Sequence, residues 1–83
     1  MYQKMMRFKV IKDNRIFETI LDERLSFTDN FKMLANIDDY DLDGFKVYDP
    51  FKKMFLNCDI PIEEFAIKDF RIMYLFWGIN MSP

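Results

Sequence analysis

Apolar and polar residues alternate strictly between residues 6 and 11. Alternation with a period of two is typical of a half-buried strand, with Met6, Phe8 and Val10 pointing inward. A polar turn over residues 12–15 leads into a second apolar run at residues 16–21. Two such runs joined by a short polar turn predict an antiparallel hairpin. For the second strand we expect an inward face of Phe17, Thr19 and Leu21.

A helix is predicted after the hairpin. Ser26 or Thr28 can cap it, and Asp29 suits its first turn. One apolar stripe recurs at helical spacing, formed by Phe27, Phe31, Leu34 and Ala35. So short a helix would not persist alone in water, so we expect it to lie on a sheet and to end near Asn36.

The second half of the chain reads mainly as strands. Residues 45–48 predict a third strand with Phe45 and Val47 inward, and residues 51–56 an irregular segment or a short edge strand. Residues 72–77 form an unbroken apolar run, which suits a strand covered on both faces. One amphipathic helix and a sheet with one apolar face indicate an α+β domain with the helix packed across that face.

The last strand carries the predicted functional surface. If Ile72, Tyr74 and Phe76 face the helix, the opposite face presents Met73, Leu75 and Trp77. Arg7, Lys9, Lys46 and Tyr48 would rim that apolar patch, which is typical of a protein contact surface. The alternatives are cover by the tails, residues 1–5 and 78–83, and self-association as a homodimer. On this interpretation Leu75→Asp leaves the fold intact and abolishes binding.

Composition excludes several other functions. The 83 residues suffice for one domain, predicted to span 1–83. The formal charge of -2 argues against nucleic-acid binding. The chain has no His, and its one cysteine, Cys58, is expected to be a small core residue, so no catalytic nucleophile with a base can be named. We therefore expect no enzyme activity and no cofactor. Lacking a signal peptide or membrane span, the chain is expected to be cytoplasmic.

One acidic loop resembles the start of a calcium site. Asp39, Asp41 and Asp43 alternate and are followed by Gly44, the pattern with which a calcium loop begins. Pro50 stands where the twelfth position requires a bidentate glutamate. A solvated loop is therefore the favoured interpretation, with a weak calcium site as the alternative.

Two segments resemble ubiquitin-like proteins of the β-grasp superfamily. Residues 62–75, with Phe65 and Ile67, resemble the closing stretch of those domains, and residues 21–31 resemble their passage from second strand to helix. Within the superfamily the chain is most similar to the YukD/EsaB-like proteins of bacterial type VII (Ess) secretion systems. That similarity implies a mixed sheet of four to five strands with one helix, and a non-enzymatic component that contacts cytoplasmic domains of the secretion apparatus.

The C-terminal sequence narrows this expectation. Ubiquitin and its sulfur-carrier relatives end in a diglycine, whereas this chain ends at Pro83 with a lone Gly78 nearby. A conjugated modifier or sulfur carrier is therefore not expected. The favoured hypothesis is a ubiquitin-like interaction module of a type VII apparatus. The alternatives are a β-grasp adaptor or regulatory subunit unrelated to secretion, and the weak calcium-binding protein.

Overall fold

The computed structural model describes residues 2–33 and 44–76. This part contains one sheet of five strands in the order β2-β1-β5-β3-β4 and one α-helix. The elements are β1 (Gln3–Val10), β2 (Arg15–Asp22), α1 (Phe27–Met33), β3 (Lys46–Asp49), β4 (Met54–Leu56) and β5 (Ile72–Phe76). β1 and β5 are parallel, and the other neighbours are antiparallel. The predicted mixed sheet with one helix is confirmed.

The first two strands form the predicted hairpin. Phe8 pairs with Phe17 across it, and their rings stack at 5.5 Å. The turn ends at Asn14, which has a φ of 60°, a left-handed conformation that Asn tolerates well. The predicted inward residues Met6, Phe8 and Val10 are buried, as is Leu21. The expected N-terminal tail is wrong, however, because residues 3–5 belong to β1 and pair with β2.

The helix covers one face of the sheet through aromatic side chains. Ser26 begins it, since its Oγ accepts a hydrogen bond from the backbone N–H of Asp29 at 3.0 Å. Phe27 and Phe31 are fully buried and contact Phe8 edge-on, with ring centroids 6.1 and 5.4 Å away. The remaining residues of the predicted stripe, at positions 34 and 35, lie outside the described part of the chain.

The last strand lies at the centre of the sheet, as predicted, but the orientation expected for its side chains is wrong. Met73 and Leu75 are completely buried, while Ile72, Tyr74 and Phe76 are only partly buried. The cause is the register with β1: Met73 pairs with Phe8 and Leu75 pairs with Val10. Side chains of paired residues lie on the same face of a sheet, so Met73 and Leu75 must join the core.

The connections between the later strands complete the core. The segment over residues 51–56 contains β4, a short strand at the edge of the sheet. After Pro61 the chain forms a single 3-10 turn at Ile62–Phe65, and Ile62 and Ile67 are buried beside Phe45 and Val47. The predicted inward phase of β3 is thus confirmed.

A buried amide ties the helix to β2. The Oδ1 atom of Asn30 accepts a hydrogen bond from the backbone N–H of Asp22 at 2.8 Å. Its Nδ2 donates to the backbone oxygens of Asp22 and Ser26, both at 2.9 Å. Asn30 therefore satisfies polar groups at the end of a strand and at the start of the helix.

We expect Asn30→Ala to lower the free energy of unfolding by about 2–3 kcal/mol, because it strands several partly buried backbone groups. Urea denaturation followed by circular dichroism measures this loss. Asp29→Ala, an exposed neighbour on the same helix, is the control and should cost less than about 1 kcal/mol. Equal midpoints for the two variants would show that the bridge contributes nothing.

Candidate functional site: the outer face of the sheet

The helix covers one face of the sheet, and the opposite face, here called the outer face, carries the residues of alternate phase. In register across β1, β5 and β3, Lys9 pairs with Tyr74, and Tyr74 pairs with Tyr48. Tyr48 in turn pairs with Phe55 of β4. Paired side chains share a face, so this row of four residues crosses the outer face from strand to strand.

An aromatic cluster forms the centre of this face. We call Tyr48, Phe55, Tyr74 and Phe76 the outer aromatic patch. The rings of Tyr48 and Tyr74 stack at 6.1 Å, Tyr48 meets Phe55 edge-on at 5.0 Å, and Phe55 lies 5.7 Å from Phe76. Phe55 is 53% exposed. Rings that support one another in this way offer a large, rigid contact area at low entropic cost.

Cations surround the outer aromatic patch. The Nζ of Lys9 lies 5.9 Å from the ring centroid of Tyr74, and the Nζ of Lys46 lies 5.9 Å from that of Phe55. Arg7 lies further along β1 and forms an ion pair with Glu18 at 3.2 Å. These four residues place three cations and one carboxylate on a face of a chain whose net charge is -2. The outer face is therefore locally positive on an acidic protein.

The structure brings together only part of the predicted site. Lys9, Lys46 and Tyr48 lie on the outer face, as the sequence pattern indicated. Met73 and Leu75 are core residues instead, and Trp77 lies outside the described part of the chain. Because their burial removes them from any contact surface, the predicted centre of the site is replaced by the outer aromatic patch.

Sequence reasoning missed Phe55, Tyr74 and Phe76 as surface residues. An unbroken apolar run does not reveal which residues face the core. One signal was present: a Tyr hydroxyl needs a polar partner or water, which favours the less covered face for Tyr74. Paired with the correctly predicted outward Tyr48, that argument fixes the orientation of β5.

The described residues contain little that resembles a catalytic or metal site. Among them, no three His, Cys, Asp or Glu side chains cluster closely enough to hold a metal ion. The acidic loop with Asp39, Asp41 and Asp43 lies outside the described ranges. Cys58 is half-buried, and burial is the main reason that its pKa is raised, so the thiol stays protonated at neutral pH.

A groove of about 530 Å³ lies at the end of β2, between Tyr2 and Met33. Its ionisable residues Asp22 and Arg24 bind each other, with Nη2 and Oδ2 2.8 Å apart. The hydrogen bond from Arg24 lowers the pKa of Asp22, so this carboxylate is ionised and paired rather than poised to accept or donate a proton. No helix in the described part is long and apolar enough to cross a membrane.

Comparison with known proteins gives similarity at the level of structure alone. No protein-family model matches the chain, and no curated protein matches its sequence. Among solved structures, the UBL domain of Plasmodium falciparum Dsk2 is 18% identical with a TM-score of 0.72, covering 92% of this chain and 99% of that domain. A ubiquitin-like domain from Arabidopsis thaliana is 13% identical with a TM-score of 0.74, covering 100% of this chain and 86% of the other.

A third similar structure is bacterial. The ubiquitin-like domain of the Mycobacterium tuberculosis type VII secretion system protein ECCD1 is 11% identical with a TM-score of 0.55, covering 87% of this chain and 97% of that domain. At these identities the similarity concerns the fold. The strand order, the parallel central pair and the single helix across one face agree with it, and the chain has the ubiquitin-like β-grasp fold.

Proposed function

We propose that this chain is a non-enzymatic protein-interaction module that binds a partner protein through the outer aromatic patch. The observation that carries the proposal is the exposed, mutually packed aromatic cluster on the face opposite the helix. Aromatic side chains at the centre and polar or charged groups at the rim are typical of interface hot spots. Ubiquitin-like domains are a class of interaction modules, which agrees with this role.

The charge of the rim defines the kind of partner. Lys9 and Lys46 flank the patch, and both lie at cation–π distance from its rings. A surface with apolar side chains at its centre and carboxylates at its edge would complement this face and be steered toward it. A second copy of the same face brings like charges together, which disfavours a face-to-face homodimer.

We further propose that the partner is a cytoplasmic domain of a bacterial type VII secretion apparatus, which makes the chain an accessory component of that apparatus. Two observations support this assignment. The sequence resembles the YukD/EsaB-like proteins in its closing stretch and in its passage into the helix. A ubiquitin-like domain from a type VII secretion protein is also among the similar structures.

The test uses two matched truncations of exposed side chains. Phe55→Ala removes the most exposed ring of the patch, and Met33→Ala removes a 69% exposed side chain at the end of α1. Tagged forms of the wild type and both variants are used for affinity capture from the source organism, and the captured partner is then titrated calorimetrically. We expect Phe55→Ala to weaken binding about 10- to 30-fold, as for a hot-spot residue, and Met33→Ala to leave it unchanged.

The two parts of the proposal fail separately. Unchanged affinity for Phe55→Ala, with folding confirmed by circular dichroism, would contradict the outer aromatic patch as the binding site. A patch-dependent partner outside any secretion apparatus would contradict only the secretion assignment.

A further inference from the structure

The second strand, β2, forms a long free edge of the sheet. The N–H of Arg7 donates to the backbone oxygen of Arg71 next to β5, at 3.2 Å, so the backbone groups of Arg7 point away from β2. In an antiparallel pair, such a residue faces one whose own N–H and C=O point away from the pair. The register then directs the backbone groups of every second β2 residue outward, namely those of Ile16, Glu18, Ile20 and Asp22.

One end of this edge is closed. The carboxamide of Asn30 occupies both the N–H and the C=O of Asp22, as a neighbouring strand would. Within residues 2–33 and 44–76, no backbone hydrogen bond uses the outward groups of Ile16, Glu18 or Ile20. A stretch of three outward-facing residues therefore stays open for pairing, whereas the opposite edge strand, β4, has only three residues in total.

The side chains along the open stretch alternate in a way that selects a ligand. Ile16 and Ile20 are 58% and 52% exposed, and Glu18 stands between them on the same face. Arg7 contacts only the Oε2 atom of Glu18, so the other oxygen can accept a hydrogen bond from a second cation. A strand laid along this edge would place its own side chains directly opposite these three residues.

We propose that the free edge of β2 binds an extended peptide segment of a partner protein by strand addition. The segment carries a Lys or Arg opposite Glu18 and apolar residues two positions to either side, opposite Ile16 and Ile20. Backbone hydrogen bonds supply the affinity and the three side chains supply the specificity. A second copy of β2 in the register that pairs Ile16 with Ile20 opposes Glu18 to itself, and this like-charge contact disfavours self-pairing. This site is separate from the outer aromatic patch.

The probe is the acetylated peptide Thr-Val-Thr-Lys-Thr-Val-Thr amide, with a version in which Glu replaces Lys as its control. Both read identically in parallel and antiparallel orientation. In titrations followed by nuclear magnetic resonance, we expect the Lys peptide to bind wild type about fivefold more tightly than the Glu peptide, the ratio for one exposed charge pair. Glu18→Lys should reverse this preference. Tyr74→Ala, which alters the outer aromatic patch, should leave it unchanged.

Amide hydrogen exchange locates the site. In the free protein the amides of Ile16, Glu18 and Ile20 should exchange fast, and saturation with the Lys peptide should slow them. Slow exchange in the free protein at every concentration means that the chain covers its own edge, and protection that grows with protein concentration means that a second copy does. Either result overturns the proposal, as does equal affinity for the two peptides.

Discussion

Leu75→Asp is expected to unfold the domain. Leu75 is completely buried between Val10 of β1 and Val47 of β3, its partners on the two sides. Losing a buried leucine costs about 2–5 kcal/mol, and burying an unpaired carboxylate adds several more. Together these costs are comparable to the entire stability of a small domain, roughly 5–15 kcal/mol. We therefore expect circular dichroism of the variant at 25 °C to show no cooperative thermal transition.

The adjacent residue gives a matched control. Tyr74 precedes Leu75 on the same strand but lies on the outer face, where it is half-buried. Tyr74→Asp should keep a cooperative transition, with a loss of less than about 2 kcal/mol. A folded Leu75→Asp beside an unfolded Tyr74→Asp would mean that β5 has the opposite orientation. The expectation from sequence, that Leu75→Asp spares the fold, is thus reversed by the register of β5 with β1.

Asp49→Ala is expected to lower the free energy of unfolding by about 3 kcal/mol, the low end for breaking a buried ion pair. Asp49 is completely buried at the end of β3. Its Oδ1 accepts hydrogen bonds from the backbone N–H groups of Phe51 and Lys52, at 2.9 and 3.2 Å, and from the guanidinium of Arg71. The variant leaves these donors unpaired. Arg71 also lies 4.6 Å from the ring centroid of Phe51, so the pair holds the turn before β4 in place.

A double-mutant cycle separates the ion pair from the turn. Asp49→Ala, Arg71→Ala and the double variant are compared by urea denaturation at pH 7, and we expect a coupling energy of about 1–3 kcal/mol. The control is Asp13→Ala, whose ion pair with Arg15 is exposed and should be worth less than about 1 kcal/mol. A loss at Asp49 no larger than at Asp13 would show that burial does not strengthen this pair.

The sequence also identified the rim of the candidate site but not its centre. Lys9, Lys46 and Tyr48 belong to strands in which apolar and polar residues alternate, so their outward orientation follows from local pattern. Phe55 belongs to a segment without a clear period, and Tyr74 and Phe76 belong to an apolar run. For these aromatic residues the choice between core and surface depends on the neighbouring strands.

By itself, the sequence determined the order of the elements, the inward faces of β1, β2 and β3, the cap at Ser26 and the aromatic face of the helix, because each is encoded in a local period or a local hydrogen bond. Only the tertiary structure decided which side of β5 enters the core, where the outer aromatic patch lies and which edge of β2 stays open. These features depend on register between strands distant in the chain. A shift of one residue exchanges the two faces of a strand, and an evenly apolar sequence cannot specify that choice alone.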